Sequence, residues 1–385
     1  MRPTRSAGAS ARVPLDLCGD GTEVGVDTKV TLRDVARLAG VHPATASRAL
    51  NDESRSLVRE ETADRVAEAA RMLDYRPDHL ARSLKTRRTA TIGVLVPDIT
   101  NPLFPPILRG IEDQLNEKGY VALIGNTDND HERERRVITE MRDRSIDGLI
   151  VATARRHHPL LVESSRGGLP IVLVNRVVED HVLPSVSVDD QMGIRAAVAH
   201  LVLLGHRRIA HVAGPQELST GNGRYLGFVA GLEASGIEAD PALVAFANSF
   251  SEAEGFRCTE ELFATGHPFT AIVAVNDMLA LGALRSLRLR RVVCPLECSL
   301  VGFNDMPLMD RIQPPLTTVR LPHYEIGLRA AQLLLERMTD RRGPAKTVLL
   351  PCELVVREST MPPPTRDSDV NAATRFLARP RWSRR

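Results

Sequence analysis

The 385-residue chain has only five cysteines, Cys18, Cys258, Cys294, Cys298 and Cys352, an odd number scattered along the sequence. Such a set builds neither a disulfide framework nor a cysteine metal cluster, and a reducing cytoplasm suits it best. No stretch approaches the roughly 18 apolar residues of a membrane span. The opening MRPTRSAGASARVPLDLCGD lacks the apolar core of a secretory signal. The catalytic signatures are missing too: no phosphate loop of the Walker type, no HExxH and no GxSxG elbow. No enzyme activity and no cofactor are therefore expected. His157-His158 is a loop pair without a third ligand nearby, and closed metal sites need three or four, so no metal is expected either. The run TGNGRYLGF (220–228) contains G-x-G but not the full G-x-G-x-x-G spacing, which argues against a dinucleotide. Lysine is scarce, 4 of 50 basic residues, which reads as codon bias rather than function.

What is present fits a soluble globular protein of two or three domains: 43% hydrophobic and 25% charged residues. The formal charge of +2 hides an asymmetry. Residues 29–88 hold 13 basic and 9 acidic residues, net +4, whereas 89–359 hold 28 and 33, net −5. A small basic module precedes a large, mildly acidic body. Basic modules suit polyanions, although a solvated helix face would carry the same charge. Composition divides the chain further. Residues 1–28 read as a disordered extension, 29–75 as all-helical, 76–90 as a short basic connector, 91–359 as alternating strands and helices, and 360–385 as a disordered Pro/Arg-rich tail.

The basic module reads as a helix-turn-helix. Thr31-Leu32-Arg33-Asp34 has capping-box character at a helix start. Leu32, Val35, Ala36 and Ala39 make one apolar face, and Gly40 supplies the stop. Pro43 opens a second helix, 43–50, where a missing N–H is tolerated. Ala46, Ala49 and Leu50 face inward there, leaving Pro43, Ala44, Ser47 and Arg48 outside. Small residues at this start let the backbone approach a DNA groove, Arg48 can reach a guanine edge, and Ser47 can meet a phosphate. Thr31, Pro43, Ala44, Thr45, Ser47 and Arg48 are the candidate DNA contacts. A third helix is predicted over about 57–73, with Val58, Thr62, Val66, Ala69, Ala70 and Leu73 as its packing stripe.

In the body, TIGVLVP, YVALIGN, DGLIVAT, LPIVLVNR, RRIAHVAG, FTAIVAV and CSLVGFN are apolar runs separated by helical patterns. Near-continuous apolar strands alternating with helices mean parallel sheets covered on both faces, here in two stacked lobes. Ligands of such sheets bind at the carboxyl ends of strands. The polar and aromatic groups expected there are Asn101, Leu103, Phe104, Asn175, Thr220, Arg224, Phe250, Asn276, Asp277 and Asn304, with Asp277 read as a helix cap. PPLTTVR (314–320) reads as a crossover between lobes. A solute-binding or α/β enzyme body carrying an accessory helical module stays open at this point.

TLRDVARLAGVHPATASRALN (31–51) and LDYRPDHLARSLKTRRTATIGVLVPDITNPLF (73–104) resemble the LacI/GalR family of bacterial repressors. The resemblance covers about 30–359. It implies an all-α helix-turn-helix headpiece followed by an α/β effector domain of two periplasmic-binding-protein-like lobes with doubly wound parallel sheets. The N-lobe would take about 91–188 and 323–350, and the C-lobe about 189–322 and 351–359. It implies a cytoplasmic, sequence-specific transcription regulator, most often a repressor. Such a regulator acts as a homodimer or a tetramer, on a pseudo-palindromic double-stranded DNA operator, with no membrane partner. The connector RPDHLARSL would form a short hinge helix, with Leu84 as a wedge between base pairs and Ala81 and Lys85 as minor-groove contacts. A helix that short is predicted to be unfolded without DNA and to order on binding. Leu103, Phe104, Asn175, Thr220, Arg224, Phe250, Asn276 and Asn304 would hold a small-molecule effector, a sugar or sugar derivative. Three positions depart from the family pattern. His42 stands where the family usually has a capping Ser, so the cap is expected to be weaker. Asn304 stands where many relatives carry Asp. Leu218, at the expected pocket edge, stands where purine-responsive relatives place a basic residue, which argues against a purine.

Overall fold

The computed structural model describes residues 30–75, 88–179, 182–340 and 343–364. Ala81, Leu84 and Lys85, the first 28 residues and most of the expected tail lie outside them. The described residues divide into two compact units, 30–75 and those from 88 onward.

The first unit is helical: Leu32–Leu38, Pro43–Ala49, Asp52–Arg55 and Glu60–Met72. Its core is built on small side chains, with Val35, Ala36, Ala46, Ala49, Ala63, Val66 and Ala69 at its centre and Leu32, Val41, Leu50, Val58, Leu73 and Tyr75 around them. Alanine lets helix backbones approach closely, at the price of little buried area per residue, so this unit's margin of stability is thin. The long helix expected from 57 begins at Glu60 instead. Residues 52–55 form a separate turn, where Ser54 Oγ donates to the carbonyls of Arg48 (3.1 Å) and Asn51 (3.4 Å). A hydroxyl bonding to nearby backbone offers the chain an alternative to the helix ladder.

The second unit holds two six-stranded sheets among its described residues. The first runs β11(Thr347–Leu350), β5(Ser185–Val188), β4(Ile171–Val174), β3(Gly148–Val151), β1(Thr91–Val96) and β2(Val121–Asn126), all parallel. The second runs β12(Glu353–Val355), β10(Thr317–Arg320), β9(Ser299–Asn304), β8(Ala271–Ala274), β6(Ile209–Ala213) and β7(Val244–Phe246), parallel except for the β10–β12 pair. The inner strands are buried along almost their whole length, while edge strand β2 exposes Val121 and Ile124. Helices on both faces provide that cover. The chain changes sheet three times: after β5, after β10 and after β11. The segment 314–320, expected as a crossover, therefore holds an internal strand, and the crossing follows it.

Glycines set three helix pairs in contact. A Cβ on Gly110 would lie 2.1 Å from the Tyr324 carbonyl oxygen, and one on Gly327 1.9 Å from that of Ile107, so helices Phe104–Glu117 and His323–Thr339 touch backbone to backbone. Gly255 and Gly282 do the same for helices Glu252–Ala264 and Asp277–Leu289. The glycines of TGNGRYLGF serve packing as well. Gly227 abuts the Gln191 backbone, and Gly221 abuts the Pro215 carbonyl. The expected tail starts later than residue 360. Thr360 Oγ1 pairs with His200 Nε2 (2.9 Å), and the Met361 carbonyl accepts from Ser299 Oγ (3.0 Å) and lies 2.9 Å from His206 Nε2, which fastens the segment to the second lobe. Among the described residues no helix is long and apolar enough to cross a membrane.

Candidate functional site

In the helical unit, Thr31 N and Oγ1 both donate to Asp34 Oδ2, at 3.0 and 2.6 Å. These bonds hold the Asp34 carboxyl below its ordinary range, helped by the Arg37 charge. The Thr31 hydroxyl proton is therefore committed, and a phosphate would have to compete for it. At the second helix His42 does cap. Its Nδ1 accepts from Ala44 N at 3.2 Å, the long end of the hydrogen-bond range, and Pro43 occupies the first helical position. The capping nitrogen must be the unprotonated one. Ala44 and Arg48 are exposed, Pro43, Thr45 and Ser47 are half-buried, and Ala46 and Ala49 point inward. Among the described residues the Arg48 guanidinium has no carboxylate partner. Among the described residues the outer face thus presents Arg48 unpaired behind a small, close-approaching helix start.

In the second unit, a cavity of about 490 Å³ opens between the two sheets at the carboxyl ends of their strands. All eight residues expected to hold an effector line it: Leu103, Phe104, Asn175, Thr220, Arg224, Phe250, Asn276 and Asn304. Leu218 does not; it is buried at the start of helix Ser219–Ala234. Topology brings the eight together. Leu103 and Phe104 follow β1 where Asn101 Oδ1 turns the chain by accepting from Leu103 N (3.0 Å). Asn175 directly follows β4 at φ 67 and Asn304 ends β9 at φ 113, positive-φ backbone states that most non-glycine residues avoid. Thr220 and Arg224 sit one turn apart on the helix after β6, and Phe250 follows β7.

Arg224 is partly a structural cation. Its Nε donates to Asp190 Oδ1 (2.7 Å), Nη1 donates to the Val275 carbonyl (2.9 Å), and the guanidinium lies 3.9 Å over the Phe303 ring. Its Nη2 has no hydrogen-bond partner among the described residues. A guanidinium held flat on two edges presents its third to a ligand in a fixed direction. The helix cap expected of Asp277 belongs to Asn276, whose Oδ1 accepts from Leu279 N (2.9 Å). Asp277 instead accepts from Met306 N (2.8 Å) and Thr318 Oγ1 (2.6 Å), joining three strand ends, and burial lifts its carboxyl to about 7.

The sequence reading missed part of the wall: Asp98, Thr100, Asp128, Asn129, Arg176, Ser249 and Ser251. Arg176 could have been found, because it directly follows Asn175 at the end of an apolar strand. The pair His157-His158 goes to two carboxylates, His157 to Glu179 (2.8 Å) and the buried His158 to Glu134 (3.3 Å). Among the described residues, hydrogen bonds at Val177 and Arg156 link the lobes. Val177 N donates to Ser219 Oγ (2.9 Å). Arg156 donates through N to the Glu217 carbonyl (2.9 Å) and through Nη1 to that of Gln216 (3.1 Å).

Of six buried side-chain polar atoms that lack a hydrogen-bond partner among the described residues, three belong to this wall: Arg176 Nε, Thr220 Oγ1 and Asn304 Oδ1. Native interiors pair nearly all such atoms, so three unpartnered ones on a single wall set it apart from the rest of the interior.

Comparison with known proteins adds to this geometry. Residues 31–78 match the profile of bacterial regulatory proteins of the lacI family, and residues 198–360 match a periplasmic binding protein-like domain. The HTH-type transcriptional repressor CytR of Escherichia coli is 35% identical over 334 residues, which are 87% of this chain and 97% of that protein. A transcriptional regulator CelR–cellobiose complex is 30% identical with a TM-score of 0.67, covering 86% of this chain and 99% of that one. A lac repressor dimer bound to operator and the anti-inducer ONPF is 26% identical with a TM-score of 0.78, covering 87% and 100%.

Proposed function

The chain belongs to the LacI family of bacterial regulatory proteins, and from that premise we propose a repressor whose hold on its operator is set by a small molecule bound between its lobes. It is a DNA-binding transcription regulator, not an enzyme. The operator is pseudo-palindromic double-stranded DNA, the working form is a homodimer or a tetramer of two such dimers, and it acts in the cytoplasm on the nucleoid. The effector is a sugar or sugar derivative. The observation that carries the effector reading is the set of three unpartnered buried polar atoms on a cavity also lined by Phe104 and Phe250. Polyols need many short polar contacts together with an apolar face for the ring.

On the DNA side Arg48 carries the base readout and Ala44 gives close approach. Ser47, Thr45 and Thr31 meet phosphates, with the hinge residues Ala81, Leu84 and Lys85 in the minor groove. Selection of random duplexes by the full chain tests this: a two-fold symmetric consensus is expected, in keeping with a symmetric pair of recognition helices. Arg48→Ala should cost about 1–3 kcal/mol on that consensus and relax one position in each half-site. An equal loss on every duplex would reduce Arg48 to a phosphate contact, and a selection without any consensus would remove the operator itself.

A further inference from the structure

The cavity's charge can be accounted for residue by residue. Asp190 is taken by Arg224. Asp128 is paired with Arg133, while Asp98 accepts from Thr100 N (2.8 Å) and Oγ1 (2.7 Å) and has no cationic partner among the described residues. Behind the wall, Glu134 is shared by Arg155 (3.2 Å), His158 (3.3 Å) and Thr153. Arg176 is left over. It is only 4% exposed, and among the described residues no carboxylate lies within ion-pair distance and Nε has no partner. Among the described residues the one hydrogen bond of its side chain runs from Nη1 to Asn129 Oδ1, at 3.5 Å the limit of such a contact. Its guanidinium stands 5.9 Å from the centre of the Phe250 ring, on the far wall of the cleft. Burial, reinforced by the Arg155 charge, pulls its pKa down to about 10 against the weaker pull of Glu134 and the exposed Glu217. Of the strand-end positions on this wall, Asn175 and Asn304 are neutral amides, and Asp98 makes no ion pair with Arg176.

An arginine buried without a counter-charge is costly to the folded chain, and such groups persist where a ligand supplies the missing partner. We propose that the effector carries an anionic group, a carboxylate or a phosphate, which pairs with Arg176 while the rest of the molecule meets Arg224, Thr220 and Asn304. The volume of about 490 Å³ accommodates a sugar acid or a sugar phosphate. The inference rests on the reading of the cavity as the effector site and narrows its chemistry.

Thermal melting and titration calorimetry of the full chain test it, with glucuronate beside glucose and ribose 5-phosphate beside ribose, at fixed ionic strength. At least one acid should bind roughly tenfold tighter or better than its neutral parent. Which of the two does so separates carboxylate from phosphate. Arg176→Met should abolish the preference, and with no ligand present it should melt at or above the wild-type temperature, because it removes an uncompensated buried charge. A lower melting point for Arg176→Met would make Arg176 a structural cation and overturn the proposal. Neutral parents binding as tightly as their acids, or a preference that survives the substitution, would overturn it too. Neutral sugars that bind and release operator would leave the effector site standing without its anion. Absence of binding by acids and parents alike would remove the effector reading together with this one.

Discussion

Single residues in the body are tuned by burial, and the pH dependence of stability is where this becomes measurable. Asp277 is buried between strand ends, and burial raises its pKa from an ordinary carboxylate value to about 7 in spite of the bonds from Thr318 and Met306. The folded chain therefore keeps a proton there that the unfolded chain releases. Stability from this group is present below about pH 4 and drains away as pH climbs towards 7. His211 and His323 act the other way: burial lowers both to about 4, so the stability they bring is present above their ordinary value of 6.5 and is lost as pH falls towards 4. The two effects oppose each other in the same window, and the wild-type profile should look flatter than either alone. Asp277→Asn keeps a carbonyl for Met306 N and removes the titration. Its melting temperature relative to wild type should rise from pH 4 towards pH 7 and level off above that. Parallel profiles for the two proteins would show that Asp277 does not titrate in this range. None of this was legible in the sequence, where Asp277 looked like a helix cap. The neighbour one position earlier, Asn276, takes that role, and an Asn-Asp pair before an apolar run does not reveal which of the two has the extended backbone of a cap.

At the scale of elements, the apolar runs were readable and the polar or short strands were not. β1, β3, β4, β6, β8 and β9 are nearly continuous hydrophobic segments and announce themselves. β5 reads Ser-Val-Ser-Val, β10 reads Thr-Thr-Val-Arg, and β7 and β12 have three residues each, so their strand character comes from pairing with neighbours. The cavity-lining residues were legible for a topological reason: in open α/β sheets the position after a strand predicts the cavity wall. Arg176 was overlooked because an arginine next to an asparagine has no pattern of its own, and its isolation from carboxylates is a fact of three dimensions. The loop carrying Arg155 and Arg156 is another element without a sequence signal. Through Arg156 it ties one lobe to the other at the Gln216 and Glu217 carbonyls, while Glu179 holds the guanidinium from its own side. This link favours the lobe spacing at which the cavity has its present form. Arg156→Ala removes the Nη1 bond and leaves the backbone bond. At about 0.5–1.5 kcal/mol per hydrogen bond, the concentration of effector needed for half-saturation should rise roughly two- to tenfold. An unchanged half-saturation point would show that the link is incidental to the spacing of the lobes.

For the whole molecule, the proposed regulation depends on how two headpieces share one duplex. A single recognition helix with one base-reading arginine makes few contacts, and useful affinity comes from two of them held at a spacing that matches the half-sites. A duplex carrying one half-site should therefore bind about 10²–10⁴ times more weakly than the full palindrome. Effector binding between the lobes, in this account, changes the spacing of the paired hinges and leaves each headpiece as it was. A coupling of about 1–3 kcal/mol, typical for such proteins, would change full-site affinity roughly 5- to 150-fold and half-site affinity hardly at all. By reciprocity the full-site duplex must change effector affinity by the same factor. Arg224→Ala removes the fixed guanidinium edge from the cavity and frees Asp190, so it should lose the effector response while keeping the advantage of the full site over the half-site. Fluorescence anisotropy on the two duplexes, with and without effector, separates these quantities. If effector weakens half-site and full-site binding equally, the ligand acts on the headpiece fold and spacing plays no part. If Arg224→Ala also erases the full-site advantage, the cavity and the dimer are one structural problem rather than two coupled sites.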